Sequence, residues 1–206
     1  MDAANSAAPF NLIVRKQLIM RTIFTFTLLL ITFNVFADDL LWKKLQQDPN
    51  MVVLMRNSES SGNKDGNNML VWDETGNCKG ESQLTKNGKA HAKRIGETFA
   101  KQGIKPLAIS SPMCRCTETA KIAFGKYITD PDLRQSVNSN TQRQEVFQRK
   151  ANNLLLKYSG KTPITFVNHR PNIDSLTMEL LNLGEMLVGI ISESGEVEIL
   201  GKIRVK

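Results

Sequence analysis

Short runs of apolar residues recur along this chain, and several end in a polar or basic residue. Runs of three to five apolar residues bounded by turn-forming residues are typical of buried strands. Near the end of the sequence, two segments alternate apolar and polar residues across a Ser194-Gly195 turn, as paired strands do. We therefore predict five strands, over residues 51–55, 107–109, 164–167, 186–191 and 197–203.

Helical periodicity separates these strands. Thr85 is placed to cap a helix that ends at Gly103, and its apolar face is formed at helical spacing by Ala92, Ile95, Gly96 and Phe99. Further helices are predicted from the Ser-Ser-Pro segment to about Phe124, over 142–158 and over 174–183. The polar stretches 58–80 and 125–141 are predicted to be irregular. Alternating strands and helices predict an α/β layered sheet in one domain.

The first 37 residues have the order of a secretory signal peptide. Arg15, Lys16 and Arg21 precede an apolar run over 23–36, and Ala37 ends a small-residue cleavage site. The sequence thus predicts a signal peptide over 1–37, with Met20 as an alternative start, and a folded domain over 38–206 in the periplasm or outside the cell. An uncleaved membrane anchor is the alternative, although the apolar run is short for a span. After processing we expect no stable membrane span.

Composition narrows the class of ligand. The chain has 206 residues, of which 41% are hydrophobic and 23% charged, as in ordinary globular proteins. Its net charge of +7 favours anionic ligands in general. There is no arginine-rich run, zinc-finger spacing or basic-aromatic pattern in the sequence, so a nucleic-acid partner is not expected.

Three basic residues follow predicted strands. Arg56 comes directly after one of them, His169 follows another after Asn168, and Arg115 lies at the start of the helix after a third. Because ligands bind at the carboxyl ends of strands in α/β sheets, these side chains are expected to share one rim. A guanidinium offers a planar pair of donors that suits phosphate oxygens. The pattern predicts an anion site.

Four segments resemble the histidine phosphatase (phosphoglycerate mutase-like) superfamily. VVLMRN at 52–57 is similar to its strand leading into an Arg-His pair, and ESQLTKNGKAHAKRIGETF at 81–99 to its Leu-Thr-x-x-Gly helix. ISSPMCRCTETAKIAFG at 109–125 resembles its Ser-Ser-Pro-x-x-Arg segment, and ITFVNHRPNID at 164–174 its late strand ending in a second histidine. The resemblance implies a three-layer α/β/α sandwich around a mostly parallel sheet, without metal or cofactor.

The same resemblance implies that Arg56, Arg115 and His169 hold a phosphoryl group beside the residue at position 57. In the family a histidine at that position attacks phosphorus, and here it is Asn57. The lone pair of an amide nitrogen is delocalised into its carbonyl, so Asn57 cannot serve as the nucleophile. An acid must also protonate the leaving oxygen. Glu81, Glu145 and Glu179 are candidates, and we select Glu81.

The three cysteines lie at positions 78, 114 and 116. A disulfide is reasonable in an oxidising compartment, and it would leave one free thiol. Cys114 and Cys116 are too close for an easy bridge. The sequence therefore predicts a disulfide between Cys78 and either Cys114 or Cys116.

Three functions are compatible with these features. The first is a pseudoenzyme that binds a phosphorylated small molecule or an envelope phosphate group outside the cytoplasm and hydrolyses it poorly or not at all. The second is an active phosphomonoesterase with altered chemistry, for example direct attack by water. The third keeps only the fold and uses it for envelope or protein contacts.

Overall fold

The computed structural model describes residues 38–63, 69–135 and 141–205. The chain divides into two units, residues 1–40 and 41–206. Of the first unit only residues 38–40 are described, and they are helical. The predicted signal peptide, 1–37, lies outside the described residues and stays a prediction. Within the described part of the chain, no helix has the length and apolar character needed to cross a bilayer.

The second unit alternates strands and helices. Residues 41–47 are helical and are called α1. The strands are β1 (Met51–Arg56), β2 (Leu107–Ser110), β3 (Ile128–Thr129), β4 (Ile164–Asn168), β5 (Glu185–Ile191) and β6 (Val197–Arg204). The further helices are α2 (Lys86–Lys101), α3 (Cys114–Phe124), α4 (Thr141–Tyr158) and α5 (Arg170–Thr177).

One six-stranded sheet runs through this unit in the order β3-β2-β4-β1-β5-β6. The pairs β3–β2, β2–β4 and β4–β1 are parallel, whereas β5 is antiparallel to both β1 and β6. β1 therefore lies in the interior of the sheet, with Arg56 opposite Asn168 at its carboxyl end. The mostly parallel central sheet that was expected from the resemblance is confirmed.

Apolar side chains fill both faces of the sheet. On one face Met51, Val53 and Met55 of β1 pack with side chains of α1, α2 and α3. On the other face Val52 and Leu54 pack with side chains of α4 and α5. The alternation of β1 side chains between the two faces follows from the pleat of a strand. The two cores make a three-layer α/β/α arrangement.

Helix α2 begins and ends as the sequence predicts. The Thr85 side chain accepts a hydrogen bond from the Gly88 amide at 3.0 Å, and Gly103 has a φ of +69° just beyond the helix. Ala92, Ile95 and Phe99 are buried. A Cβ on Gly96 would lie 2.3 Å from the Ala123 carbonyl oxygen, so this glycine lets α2 and α3 approach closely.

The prediction of a helix over 174–183 was wrong. Helix α5 begins at Arg170, directly after the strand, because Pro171 suits the first turn of a helix. It ends at Thr177, and Met178 takes a left-handed conformation with a φ of +57°. The leucines at 180, 181 and 183 suggested helical spacing, but they belong to the connection to β5.

Two other segments differ from their predictions. The stretch 125–141, predicted to be irregular, contains β3, a short 3-10 helix at Pro131–Leu133 and the first residue of α4. β3 has only two residues and is recognised through its pairing with β2 rather than through its own sequence. α1 was not predicted, although Leu41, Trp42 and Leu45 form a buried helical stripe.

Candidate functional site

The three predicted basic residues lie at the carboxyl edge of the parallel strands. Arg56 is the last residue of β1, and His169 directly follows β4, its parallel neighbour. Arg115 is the second residue of α3, which follows β2 on the other side of β4. Burial, and then the charges of Arg115 and Arg56, depress the pKa of the His169 imidazole, so both guanidiniums act on this ring. We call these residues the inner cluster.

Arg115 is the largest fully buried side chain among the described residues. Its Nη2 donates to the Met69 carbonyl oxygen at 2.8 Å and to the Gln135 side-chain oxygen at 2.5 Å. Its Nε and Nη1 are buried without a hydrogen-bond partner. Burial also lowers the pKa of the guanidinium. The guanidinium is thus held through Nη2, and its Nε and Nη1 remain available to donate to a further acceptor.

His169 is also buried, with 1% of its surface exposed. Its Nε2 lies 2.7 Å from the Ser111 hydroxyl oxygen, and its backbone amide donates to the Asn168 side chain. Burial, and then the charges of Arg115 and Arg56, hold the pKa of the imidazole well below its usual range. The ring is therefore neutral at pH 7, with one nitrogen able to donate and one able to accept.

Arg56 is partly exposed. Burial and the nearby charge of Arg170 lower the pKa of its guanidinium, and Asp174 partly offsets this effect. Within 38–63, 69–135 and 141–205, no side-chain hydrogen bond or ion pair of Arg56 is formed. Its donors are therefore open to an anion on the rim of the site.

Asn57 directly follows β1, and 3% of its surface is exposed. Its backbone amide donates to the Asn168 carbonyl oxygen at 3.0 Å, which continues the β1–β4 ladder by one residue. Its side-chain nitrogen donates to the Ser58 carbonyl oxygen at 2.8 Å. Position 57 is therefore fixed at the carboxyl edge of the sheet, and its side chain acts there as a hydrogen-bond donor.

Glu81 is held by backbone groups. Its two carboxylate oxygens accept hydrogen bonds of 2.7 Å from the amides of Asp73 and Cys114. Cys114 is the first residue of α3, where amides have no partner within the helix and a negative charge is stabilising. The observed contacts make Glu81 a link between the loop and α3. Its role as the general acid stays a prediction.

A disulfide joins Cys78 to Cys114, one of the two pairings that the sequence leaves open. Cys116 is the free cysteine and is buried. The bridge attaches the segment before α2 to the residue that precedes Arg115. Together with Glu81 and the Met69 carbonyl, it connects this segment at three points to Cys114 and Arg115, the first two residues of α3.

Sequence reasoning did not single out three residues that contact the inner cluster. Ser111 bonds to His169, and Gln135 bonds to Arg115. The Cys116 sulfur lies 3.6 and 3.7 Å from the two ring nitrogens of His169, and burial raises the pKa of its thiol to about 12. The contact of Ser111 could have been predicted from its position directly after β2. The sequence around Gln135 gives no indication that this residue contacts Arg115.

The second histidine lies in a different environment. His91 is a half-buried residue of α2, and its Nδ1 is 3.1 Å from the Ser58 hydroxyl oxygen. Burial lowers the pKa of its imidazole, and the Val205 carbonyl partly offsets that effect. His91 contributes to a cavity of about 360 Å³ that is lined also by Arg94 and Arg204. It takes no part in the inner cluster.

Comparison with known proteins agrees with these features. The profile of the histidine phosphatase superfamily (branch 1) matches residues 53–152. No curated protein sequence matches the chain. The matched residues include Arg56, Asn57 and Arg115, whereas His169 lies beyond them.

Solved structures with this fold include several phosphatases. The protein histidine phosphatase SixA complexed with tungstate is 14% identical, with a TM-score of 0.51, and the match covers 75% of this chain and 96% of that one. Phosphoserine phosphatase from Entamoeba histolytica, in complex with 3-phosphoglyceric acid, is 16% identical, with a TM-score of 0.54 and coverages of 76% and 98%.

A mutant of the Entamoeba histolytica enzyme, in which a histidine is replaced by alanine, is in complex with phosphoserine. It is 17% identical, with a TM-score of 0.55 and coverages of 74% and 95%. At such low identity these likenesses concern the fold. The profile match covers residues 53–152, just under half of the chain, and over these residues the chain is similar to the histidine phosphatase superfamily (branch 1).

Proposed function

We propose that this chain is a member of the histidine phosphatase superfamily that binds a phosphorylated ligand through Arg56, Arg115 and His169 and hydrolyses it poorly or not at all. The observation that carries the proposal is Arg115, whose guanidinium is fully buried with two donor nitrogens unpartnered. The ligand is a phosphorylated small molecule or a phosphate group of the cell envelope.

Burying a charge without a counterion is costly, and so is leaving its donors unsatisfied. A phosphoryl oxygen placed at Nε and Nη1 of Arg115 would remove both costs at once, since charge-assisted pairs of this kind are among the strongest hydrogen bonds in proteins. The neutral ring of His169 can donate to a second oxygen. Arg56, with its open donors, can approach from the rim.

Asn57 supports the part of the proposal that concerns poor or absent hydrolysis. Transfer of a phosphoryl group to the protein needs a nitrogen with an available lone pair. The Asn57 amide lacks one, and its nitrogen donates to the Ser58 carbonyl. Loss of a nucleophile typically costs on the order of 10⁴ or more in rate. Binding groups would thus be kept while the chemical step is impaired.

The related structures are compatible with a site that keeps its binding groups while the chemical step is impaired. SixA holds tungstate, and the Entamoeba histolytica histidine-to-alanine mutant holds phosphoserine. The second of these shows, for that protein, that the fold can hold a phosphorylated ligand when a histidine has been replaced.

Titration calorimetry of the chain with phosphate or vanadate tests the binding site. Arg115→Ala and Arg56→Ala should each weaken binding by about 1.5–3 kcal/mol, the range for charged hydrogen bonds. Asn57→Ala should change it by less than about 0.5 kcal/mol, and so should Arg149→Ala, which alters an exposed arginine on α4. Equal binding by all four variants and the parent would place the anion elsewhere.

Export is part of the same proposal. The basic, apolar and small residues in order over 15–37 support removal of residues 1–37 during secretion. Mass spectrometry of the periplasmic or secreted fraction should then find an N-terminus at Asp38. Intact protein in the cytoplasm would contradict this part alone.

A further inference from the structure

Arg170 places an additional cation on the rim of the inner cluster. It follows His169 directly and is the first residue of α5, with 49% of its side chain exposed. The Cα partner of Arg56 in the sheet is Asn168, only two residues before Arg170, and α5 contacts β1. The end of β1 and the start of α5 therefore bring two guanidiniums to one side of the site.

Charge at this rim is incompletely balanced by the protein. Asp174, one turn further along α5, has its Oδ2 3.9 Å from Nε of Arg170, which is at the outer limit of an ion pair. Its Oδ1 is buried without a hydrogen-bond partner. In the described ranges no carboxylate lies within ion-pair distance of Arg56. Burial and then the charge of Arg170 lower the pKa of Arg56, as expected for neighbouring cations, and Asp174 only partly offsets this effect.

The protein thus offers two groups of donors. Arg115 and His169 are buried and can enclose one phosphoryl group, as the proposed function requires. Arg56 and Arg170 are more exposed, and a guanidinium pair separated from the buried donors suits a second set of anionic oxygens. A ligand with one anionic group would engage only part of these donors.

We propose that Arg170, together with Arg56, binds a second anionic group, so that the site selects phosphorylated ligands carrying a further phosphate or carboxylate close to the phosphoryl group. This inference rests on the proposed function, since it assumes that Arg115 holds the first group. Arg170 is then a residue that determines specificity, and Asp174 sets how much positive charge the rim retains.

The simplest alternative is that Arg170 only pairs with Asp174 on the surface of α5. Exposed pairs at this spacing contribute little to stability. Such a role predicts no difference between ligands with one and two anionic groups. The two roles therefore separate in a binding experiment.

Titration calorimetry of the chain with methylphosphonate and methylenediphosphonate, at one ionic strength, makes this test, because neither P–C bond is hydrolysed. Methylenediphosphonate should bind at least about tenfold more tightly, the effect of one added charged contact. Arg170→Ala should remove about tenfold of its affinity while changing methylphosphonate by less than about twofold. Asp174→Asn, which retains Arg170, should strengthen binding of methylenediphosphonate several-fold.

Control variants distinguish this inference from the proposed function on which it rests. Arg149→Ala should leave both affinities unchanged, and Arg115→Ala should weaken both. Equal affinity for the two probes, or an equal loss of both in Arg170→Ala, overturns the selection for a second anionic group and leaves the phosphate site standing. Binding of neither probe overturns the proposed function and this inference with it.

Discussion

Two clusters of charged side chains in this protein are built differently. A surface cluster joins the segment before α4 to that helix, and in it Lys150 lies 3.1 Å from Asp130 while Arg143 lies 3.5 Å from Asp132. Each cation there has a carboxylate. In the inner cluster Arg115 is fully buried, yet its side-chain partners are a carbonyl oxygen, an amide oxygen and a sulfur atom.

The two clusters differ in how their charge is balanced. The surface cluster is neutralised within the protein, since each of its cations lies near a carboxylate. In the inner cluster, burial lowers the pKa of the Arg115 guanidinium, and the nearby Cys116 and Glu81 partly offset this effect. Under the proposed function, an anion from outside the protein would supply further negative charge. The two buried, unpartnered nitrogens of Arg115 are therefore a better indicator of a ligand site than the number of basic residues.

The largest effect is expected at position 57. Asn57→His adds a neutral imidazole beside the inner cluster, with an unperturbed pKa near 6.5 that leaves much of it unprotonated at pH 7. We predict a gain of at least about 10²-fold in phosphatase rate over the parent chain, together with an acid-labile phosphoenzyme. Hydrolysis of p-nitrophenyl phosphate and acid-quench labelling measure the two quantities.

Asn57→Gln is the matched control, since it keeps an amide at the same position and should gain nothing. Ordinary phosphatase rates in the parent chain would instead favour an active enzyme with altered chemistry. A well-folded Asn57→His chain without any gain would mean that the acid or the pocket shape is also lost.

The next largest effect is expected on stability. It concerns the disulfide that links the segment before α2 to Cys114, next to Arg115. Replacing Cys78 and Cys114 together by serine should lower the free energy of unfolding by about 2–4 kcal/mol, because the bridge closes a loop across 36 positions. Urea unfolding measures this change. Thiol counting on the denatured parent should find one free cysteine, and three would contradict the bridge. Cys116→Ser is the single-residue control.

A pH dependence should follow from the two histidines. The pKa values of His169 and His91 are both lowered in the folded chain, so below about pH 6.5 the unfolded chain binds more protons than the folded one. The free energy of unfolding should therefore fall as the pH drops from 7 to 5, and the fully buried His169 should contribute to this fall.

Urea unfolding of the parent and His169→Gln at the two pH values checks this expectation. The variant should show a smaller fall than the parent, since it has no imidazole to protonate at this position. Saturating phosphate should also reduce the fall in the parent, because an anion stabilises a charged ring. Identical pH profiles for the parent and the variant would mean that His169 titrates normally.

The smallest effect is expected when one cation of each cluster is replaced and the free energies of unfolding are compared. Arg115→Met removes a buried charge and should raise the free energy of unfolding in phosphate-free buffer by about 1–2 kcal/mol. Lys150→Met, in the surface cluster, should change it by less than about 1 kcal/mol. Added phosphate should stabilise the parent and Lys150→Met but not Arg115→Met. A large loss of stability in Arg115→Met without phosphate would make Arg115 a structural residue.

Much of this architecture could be predicted from the sequence, because β1, β2 and β4 are mostly apolar and mostly buried. The limits of α5 could not, since leucines after residue 177 imitate helical spacing while Pro171 permits an earlier start. At the site, Arg56 and His169 are predictable because Arg56 ends one strand and His169 directly follows another. Gln135 and Met69 reach Arg115 from segments far along the chain, and that contact depends on tertiary packing.

The order of strands also bears on how the chain folds. β1 is flanked by β4 and β5, which lie more than a hundred residues later in the sequence. A chain emerging from the ribosome therefore carries an apolar first strand whose sheet partners have not yet been made, and pairing across such separations is slow. Under the proposed export, this delay would help to keep the chain unfolded during translocation, and it would make β1 the segment most in need of chaperone protection.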